Sequence, residues 1–197
     1  MPARWFPARP AEARVLVREH APGFSGAEGA SFDTAYSGGA AISPTAEQAG
    51  MGLGNAGVHI PHANAYPIAG MVKDYRPAGY PQDEPMVPHG QSVSLTAPEA
   101  FRFSFASAPE RHLRAAALLA PGQEKLSDPA EQLPQVLIDL MRDTGIPNGI
   151  GGVGYGESDV PELVPGTMKQ QRLLATCPRD VHAEDIASIL TRSIANW

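Results

Sequence analysis

Proline sets the strictest limit on this chain. It fills 20 of 197 positions, about twice its usual share of roughly 5%. A proline has a fixed φ and no backbone N–H, so it opens helices, interrupts them and is unwelcome inside a sheet. Pro77, Pro81, Pro85 and Pro88 lie too close together for any helix interior and predict a loop. Elsewhere single prolines stand where a helix begins. Ala108-Pro109-Glu110 opens one helix. Asp128-Pro129-Ala130-Glu131 reads as N-cap, first-turn proline and capping-box acid of a second, and Ser158-Asp159-Val160-Pro161-Glu162 opens a third.

Between these points apolar residues recur at helical spacing. The helix after Pro109 places Leu113, Ala116, Ala117 and Ala120 on one face, and the helix after Pro129 carries Leu133, Leu137, Leu140 and Met141 and stops at Gly145. The next runs through Leu163 and Val164 to Leu173 or Leu174. The last starts near Ala183-Glu184-Asp185 and carries Ile186, Ile189, Leu190 and Ile194. Upstream, Ser43 or Thr45 caps a helix through Ala46, Met51, Ala56 and His62, with Pro67 beyond its end. Another begins at Pro88/His89 and reaches Phe105 through Val93, Leu95 and Ala100, kinked or split at Pro98. No strand-like alternation of convincing length follows residue 45. The expected fold class is all-α.

Composition divides the chain at about residue 45. Residues 1–50 hold twelve alanines and one leucine, Leu16, while the rest holds thirteen leucines. Without large apolar side chains the first part cannot offset its ordering entropy, so residues 1–44 are expected to be a poorly ordered extension. One short apolar stretch there, Arg14-Val-Leu-Val-Arg18, could form an isolated strand. Residues 45–197 are expected to be one helical domain. A net charge of −6 argues against a nucleic-acid partner. Membrane spanning is not expected either, because the longest apolar run is the 115–120 stretch, against about 20 residues for a span. No apolar segment follows the arginines of the N-terminus, and Cys177 is the single cysteine. The expected location is the cytoplasm, and a disulfide framework or cysteine-rich zinc site is excluded.

Two segments match G-x-G-x-x-G, at Gly52-Leu-Gly54-Asn-Ala-Gly57 and Gly149-Ile-Gly151-Gly-Val-Gly154. That pattern cradles a dinucleotide only where a strand leads in and a helix opens from it. A helix-like segment precedes the first and a turn precedes the second, so the glycines read as close-approach and loop positions. Among the six histidines, His59 and His62 stand at i, i+3. On a helix they either share a face and bind a metal, or divide into one buried and one solvent-facing ring. His89 lies where a helix starts after the proline loop.

The run Gly54-Asn-Ala-Gly57-Val-His59-Ile-Pro-His62-Ala-Asn-Ala-Tyr66-Pro67-Ile-Ala-Gly70, followed by Val87-Pro-His89-Gly90, resembles the helical C-terminal domain of iron-containing (group III) alcohol dehydrogenases. Val72-Lys73-Asp-Tyr75, Pro109-Glu-Arg-His112-Leu113 and Val153-Gly-Tyr155 before Asp159-Val-Pro161 are similar to the hydroxyacid-oxoacid transhydrogenase branch. The resemblance runs from about residue 46 to the C-terminus. It implies a metal-binding domain, with His62 and His89 as ligands of Fe²⁺ (Zn²⁺ possible) and His59 in a structural role. Tyr66 stands where the alcohol-dehydrogenase branch has a second histidine near the nicotinamide. Lys73 is the candidate cation for a substrate carboxylate. The implied chemistry is Lewis-acid assistance of hydride transfer, from 4-hydroxybutyrate through NAD to 2-oxoglutarate.

The sequence departs from that family in three places. Tyr66 is one. The second is the longer gap between His62 and His89, with the proline loop as an insertion. The third is the lack of any Asp-x-x-x-His, the family's source of two further ligands, and of its Gly-Gly-Gly-Ser nucleotide loop. The chain is thus expected to be a C-terminal half behind an unrelated leader of the composition that out-of-frame GC-rich DNA encodes. NAD is not expected to bind it alone. The expected partners are small carboxylate substrates, together with another copy or a complementing N-terminal half.

Overall fold

A computed structural model describes residues 51–53 and 56–197. The expected extension over 1–44, its Arg14–Arg18 stretch and the caps at Ser43 and Thr45 lie outside the described residues. From residue 60 onward the described residues form seven α-helices: α1 (Ile60–Gly70), α2 (His89–Ser104), α3 (Pro109–Leu119), α4 (Gln132–Thr144), α5 (Val160–Met168), α6 (Gln171–Leu174) and α7 (Ala183–Arg192). Single 3-10 turns lie at Phe105–Ser107, Pro129–Glu131, Ile150–Val153 and Glu157–Asp159. No strand occurs among the described residues. The fold is all-α.

The main core gathers Ile60, Ala63 and Ile68 of α1 with Leu95 of α2, Leu163 of α5 and Ile186 and Leu190 of α7. Burying each such Ile or Leu contributes roughly 1.5–3 kcal/mol. A smaller cluster joins Ala116 of α3 to Leu133 and Val136 of α4, with Phe101 of α2 against it. Helix α1 packs against both α2 and α5, and its polar link to them is Asn64. The Asn64 amide donates to Thr96 Oγ1 on α2 at 3.2 Å, and its carbonyl oxygen accepts from Thr167 Oγ1 on α5 at 3.0 Å. All three side chains are fully buried.

Several helix limits differ from the sequence reading. The first helix does not run on to His62. Residues 51–53 and 56 are helical, and the chain then turns at Gly57 (φ 72°) before α1 begins. A Cβ at Gly57 would lie 2.8 Å from Thr176 Cγ2, so a contact with the α6 end places the break. Pro67 lies inside α1 rather than beyond it. Its ring is buried against Gly166 of α5, where a Cβ would come within 2.7 Å of Pro67 Cβ, and this packing accompanies the missing hydrogen bond. Pro98 lies within an unbroken α2.

On α3 the buried positions are His112 and Ala116, while Leu113 and Ala117 face solvent. Asp128 accepts from Ala130 N at 2.9 Å as expected of a cap. Glu131 does not complete a capping box: its carboxylate pairs with Arg102 of α2 at 2.7 Å, tying α4 to α2. Gly145 ends α4 in the left-handed conformation (φ 74°). The helix expected from Ser158 to Leu174 divides into α5 and α6 around Lys169 and Gln170.

Candidate metal and substrate site

Helix α1 carries His62 and Tyr66 four residues apart, so both side chains share one face while Ile60, Ala63, Asn64 and Ile68 point into the core. The loop over 71–88 returns the chain to that face. It is held by Met86 N donating to Tyr75 O at 2.9 Å, and its end is anchored by buried Val87 and Pro88. Pro88 (φ −54°, ψ 142°) turns directly into α2, and His89 is the first helical residue. The two turns bring together residues 27 positions apart.

The rings of His62 and His89 meet edge to face with centres 5.4 Å apart, and the Tyr66 ring centre is 6.5 Å from that of His89. Two imidazoles sharing one tetrahedral ion, at bonds of about 2.0–2.1 Å, have ring centres about 5 Å apart. The observed centre-to-centre distance is close to that value. His62 is half-buried and His89 exposed. Burial, with the neighbouring His89 second, holds the His62 pKa below its ordinary value. At neutral pH its imidazole is therefore uncharged, the form a metal needs. Among the described residues no group of three or more His, Cys, Asp or Glu converges on one point. Imidazole is a donor type that a borderline divalent ion takes.

The other candidates divide clearly. Lys73 lies beyond the end of α1, where its ammonium donates to both carboxylate oxygens of Asp159 at 2.7 Å. It also stands 5.6 Å from the Tyr155 ring centre. Asp159 Oδ2 accepts from Gly156 N as well, and these contacts hold its pKa below the usual carboxylate range, the Lys73 hydrogen bond most of all. Tyr155 donates to Ile68 O at 2.7 Å, and its phenol is pushed up to about 12, by burial first and by Asp159 second. A substrate carboxylate would have to compete with Asp159 for Lys73. In the sequence Asp159 stands at a helix start and in the Asp159-Val-Pro161 stretch of the resemblance, and neither points to Lys73 as its partner.

His59 precedes α1, and its ring meets Phe101 at 5.7 Å rather than joining His62 and His89. Its buried Nδ1 has no hydrogen-bond partner among the described residues. Burial, then His112 and His62, lower its pKa. His112 also meets Phe101 edge to face, with ring centres 5.7 Å apart. Because a carbonyl only accepts, His112 Nδ1–H donates to Ala108 O at 2.9 Å, leaving Nε2 to accept from the Ser104 hydroxyl at 3.2 Å. The glycines of the second G-x-G-x-x-G form a 3-10 turn seated on the chain's own backbone. Ile150 N donates to Ser193 O at 2.7 Å and Gly151 N to Ile194 O at 2.9 Å. Cys177 is half-buried, and its thiol pKa is pushed up, mainly by that burial.

A family model described as "Fe-containing alcohol dehydrogenase family, C-terminal" matches residues 33–194. The protein named "Hydroxyacid-oxoacid transhydrogenase, mitochondrial" from Xenopus laevis is 43% identical over 148 residues, covering 74% of this chain and 32% of that protein. Its namesake from Homo sapiens is 41% identical over 150 residues, with coverage of 74% and 32%. The chain therefore spans about a third of the length of these relatives. Both carry "mitochondrial" in their names, in contrast to the cytoplasmic location expected from the sequence. No helix of the described residues is long and apolar enough to cross a membrane. Among solved structures, 1,3-propanediol oxidoreductase superposes with a TM-score of 0.62 at 25% identity, covering 75% of this chain and 36% of that one. Alcohol dehydrogenase from Oenococcus oeni gives 0.61 at 26% identity, covering 74% and 35%.

Proposed function

Since the chain belongs to the Fe-containing alcohol dehydrogenase family, we propose that it is the metal-binding helical part of an oxidoreductase that moves hydride from a hydroxy acid to an oxo acid. The observation that carries this reading is the His62–His89 pair, two imidazoles from separate helices at the spacing one shared ion requires. In this reading they hold Fe²⁺ or Zn²⁺, which when bound supplies Lewis acidity toward a substrate oxygen. Tyr66 presents its phenol beside His89. Lys73, in exchange with Asp159, offers a cation to a substrate carboxylate. In this reading NAD is held by a nucleotide-binding domain, as the family implies for its full-length members.

Two measurements test the proposal. Zn²⁺ titrated into the chain should perturb the His62 and His89 ring resonances, and His62→Ala or His89→Ala should abolish that binding. Hydride transfer from 4-hydroxybutyrate to 2-oxoglutarate should be undetectable for the chain alone and appear when a nucleotide-binding half is supplied, because this reading assigns positioning of the nicotinamide to that half. Turnover by the chain alone, or zinc binding that ignores both substitutions, would overturn the reading. A second reading, a helical interaction domain without catalysis, draws support from the two-donor site and from the Lys73–Asp159 pair. It requires a folded chain whose histidines ignore divalent ions.

A further inference from the structure

We propose that the buried Asn64–Thr96 hydrogen bond is the positioning device that sets His62 against His89. The inference rests on the metal reading above for its ligand, but its geometry stands apart from it. His62 lies two residues before Asn64 on α1, and His89 lies seven residues, two helical turns, before Thr96 on α2. Each helix behaves as a rigid rod, so a constraint at Asn64 and Thr96 is also a constraint on where the two rings stand.

Apolar contacts alone are a loose constraint. The side chains around this pair, among them Ile60, Ala63, Ile68 and Leu95, attract without direction. They would tolerate a slide or a small rotation of α1 on α2. A hydrogen bond depends on both distance and angle. The Asn64 amide is held at both ends, its NH₂ donating to Thr96 Oγ1 and its carbonyl oxygen accepting from Thr167 Oγ1. All three groups have zero exposure, so solvent cannot take over either bond. Rotating α1 by one residue would swing His62 by about 100° away from His89. A metal site, by contrast, needs its donors within about 0.5 Å of the productive arrangement. The Thr167 bond joins α1 to α5, which carries neither histidine, so the α2 arm sets the ring spacing.

The test uses the full chain with isosteric and conservative variants, read by histidine ring resonances during Zn²⁺ titration. Thr96→Val keeps the shape and deletes the hydroxyl, Thr96→Ser keeps the hydroxyl, and Thr167→Val breaks only the α5 arm. The expected result is zinc affinity about tenfold weaker in Thr96→Val, and within about threefold of wild type in Thr96→Ser and Thr167→Val. All are measured well below their melting temperatures with helical circular dichroism intact. Should Thr96→Val fail to fold, Thr96→Ala removes the hydroxyl without adding volume and takes its place. Unchanged affinity in the hydroxyl-deleted variant overturns the proposal. So does an equal weakening in all three variants, which would report general loosening. If wild type itself binds no zinc through His62 and His89, the metal reading fails and the metal-free chain decides. A nuclear Overhauser contact between the His62 and His89 rings that disappears in Thr96→Val supports the positioning role, and one that persists overturns it.

Discussion

His59 shows how one side chain couples this fold to pH. Its ring is packed against Phe101, and burial lowers its pKa from 6.5. The unfolded chain therefore binds the proton more readily than the folded one. Stability from this residue is complete above pH 6.5 and falls as the pH drops toward the folded value. His62 shifts in the same direction for the same leading cause. The urea midpoint should be lower at pH 5.5 than at pH 7.5, with a smaller difference in His59→Gln. A midpoint that rises on acidification would contradict this. Asn64 makes a second residue-level case. Asn64→Ala strands two buried threonine hydroxyls, each unsatisfied group costing about 1–3 kcal/mol. Equilibrium urea unfolding should show a loss of that size, and a loss below about 0.5 kcal/mol would mean that the hydroxyls find other partners.

Among the elements, the glycine turn before α5 is the most restrictive. Gly149 has φ 62° and ψ −172°, a conformation open to glycine almost alone, and a Cβ there would strike the Ser193 carbonyl. Gly149→Ala should cost about 1–3 kcal/mol or more in urea unfolding, because strain and collision act together. Gly154→Ala, also at positive φ but facing open space, should cost less. The reverse order would show that the turn can detach from Ser193 and Ile194. The same turn illustrates which features the sequence made legible. Helix starts at Pro109 and Ala183, the 3-10 turn at Pro129 that leads into α4, and the stop at Gly145 are legible because local caps and φ preferences decide them. The break at Gly57 and the continuation of α1 through Pro67 are not, since they answer to Thr176 and Gly166, residues about a hundred positions away. The site divides in the same way. His62 and His89 are legible through motif resemblance, whereas the role of Asn64 depends on Thr96 and Thr167, 32 and 103 positions away.

The molecule as a whole holds two apolar clusters of unequal weight. The larger joins α1, α2, α5, α6 and α7, while the smaller joins α3 and α4 to the outer side of α2. The α3–α4 unit is tied back through Phe101 and the Arg102–Glu131 pair. Within this unit α3 buries only His112 and Ala116, so α3 should open before the rest. Amide exchange should therefore give lower protection over Pro109–Leu119 than over Ile60–Gly70 and the middle of α2. Equal protection would mean that both clusters unfold as one. The site histidines lie on helices of the larger cluster, so opening of the smaller one leaves their support in place.

Cys177, beyond α6, turns the same hierarchy into a chemical clock. Its thiol is half-buried and reluctant to ionise, and it is the thiolate that attacks an alkylating reagent such as iodoacetamide, displacing iodide. With one cysteine in the chain, modification is stoichiometric and unambiguous. The rate of iodoacetamide capture at fixed pH then counts how often the edge between α6 and α7 comes loose. A bound ion that steadied α1 should slow that count through the Gly57–Thr176 contact, so occupancy could be timed at a thiol that takes no part in binding.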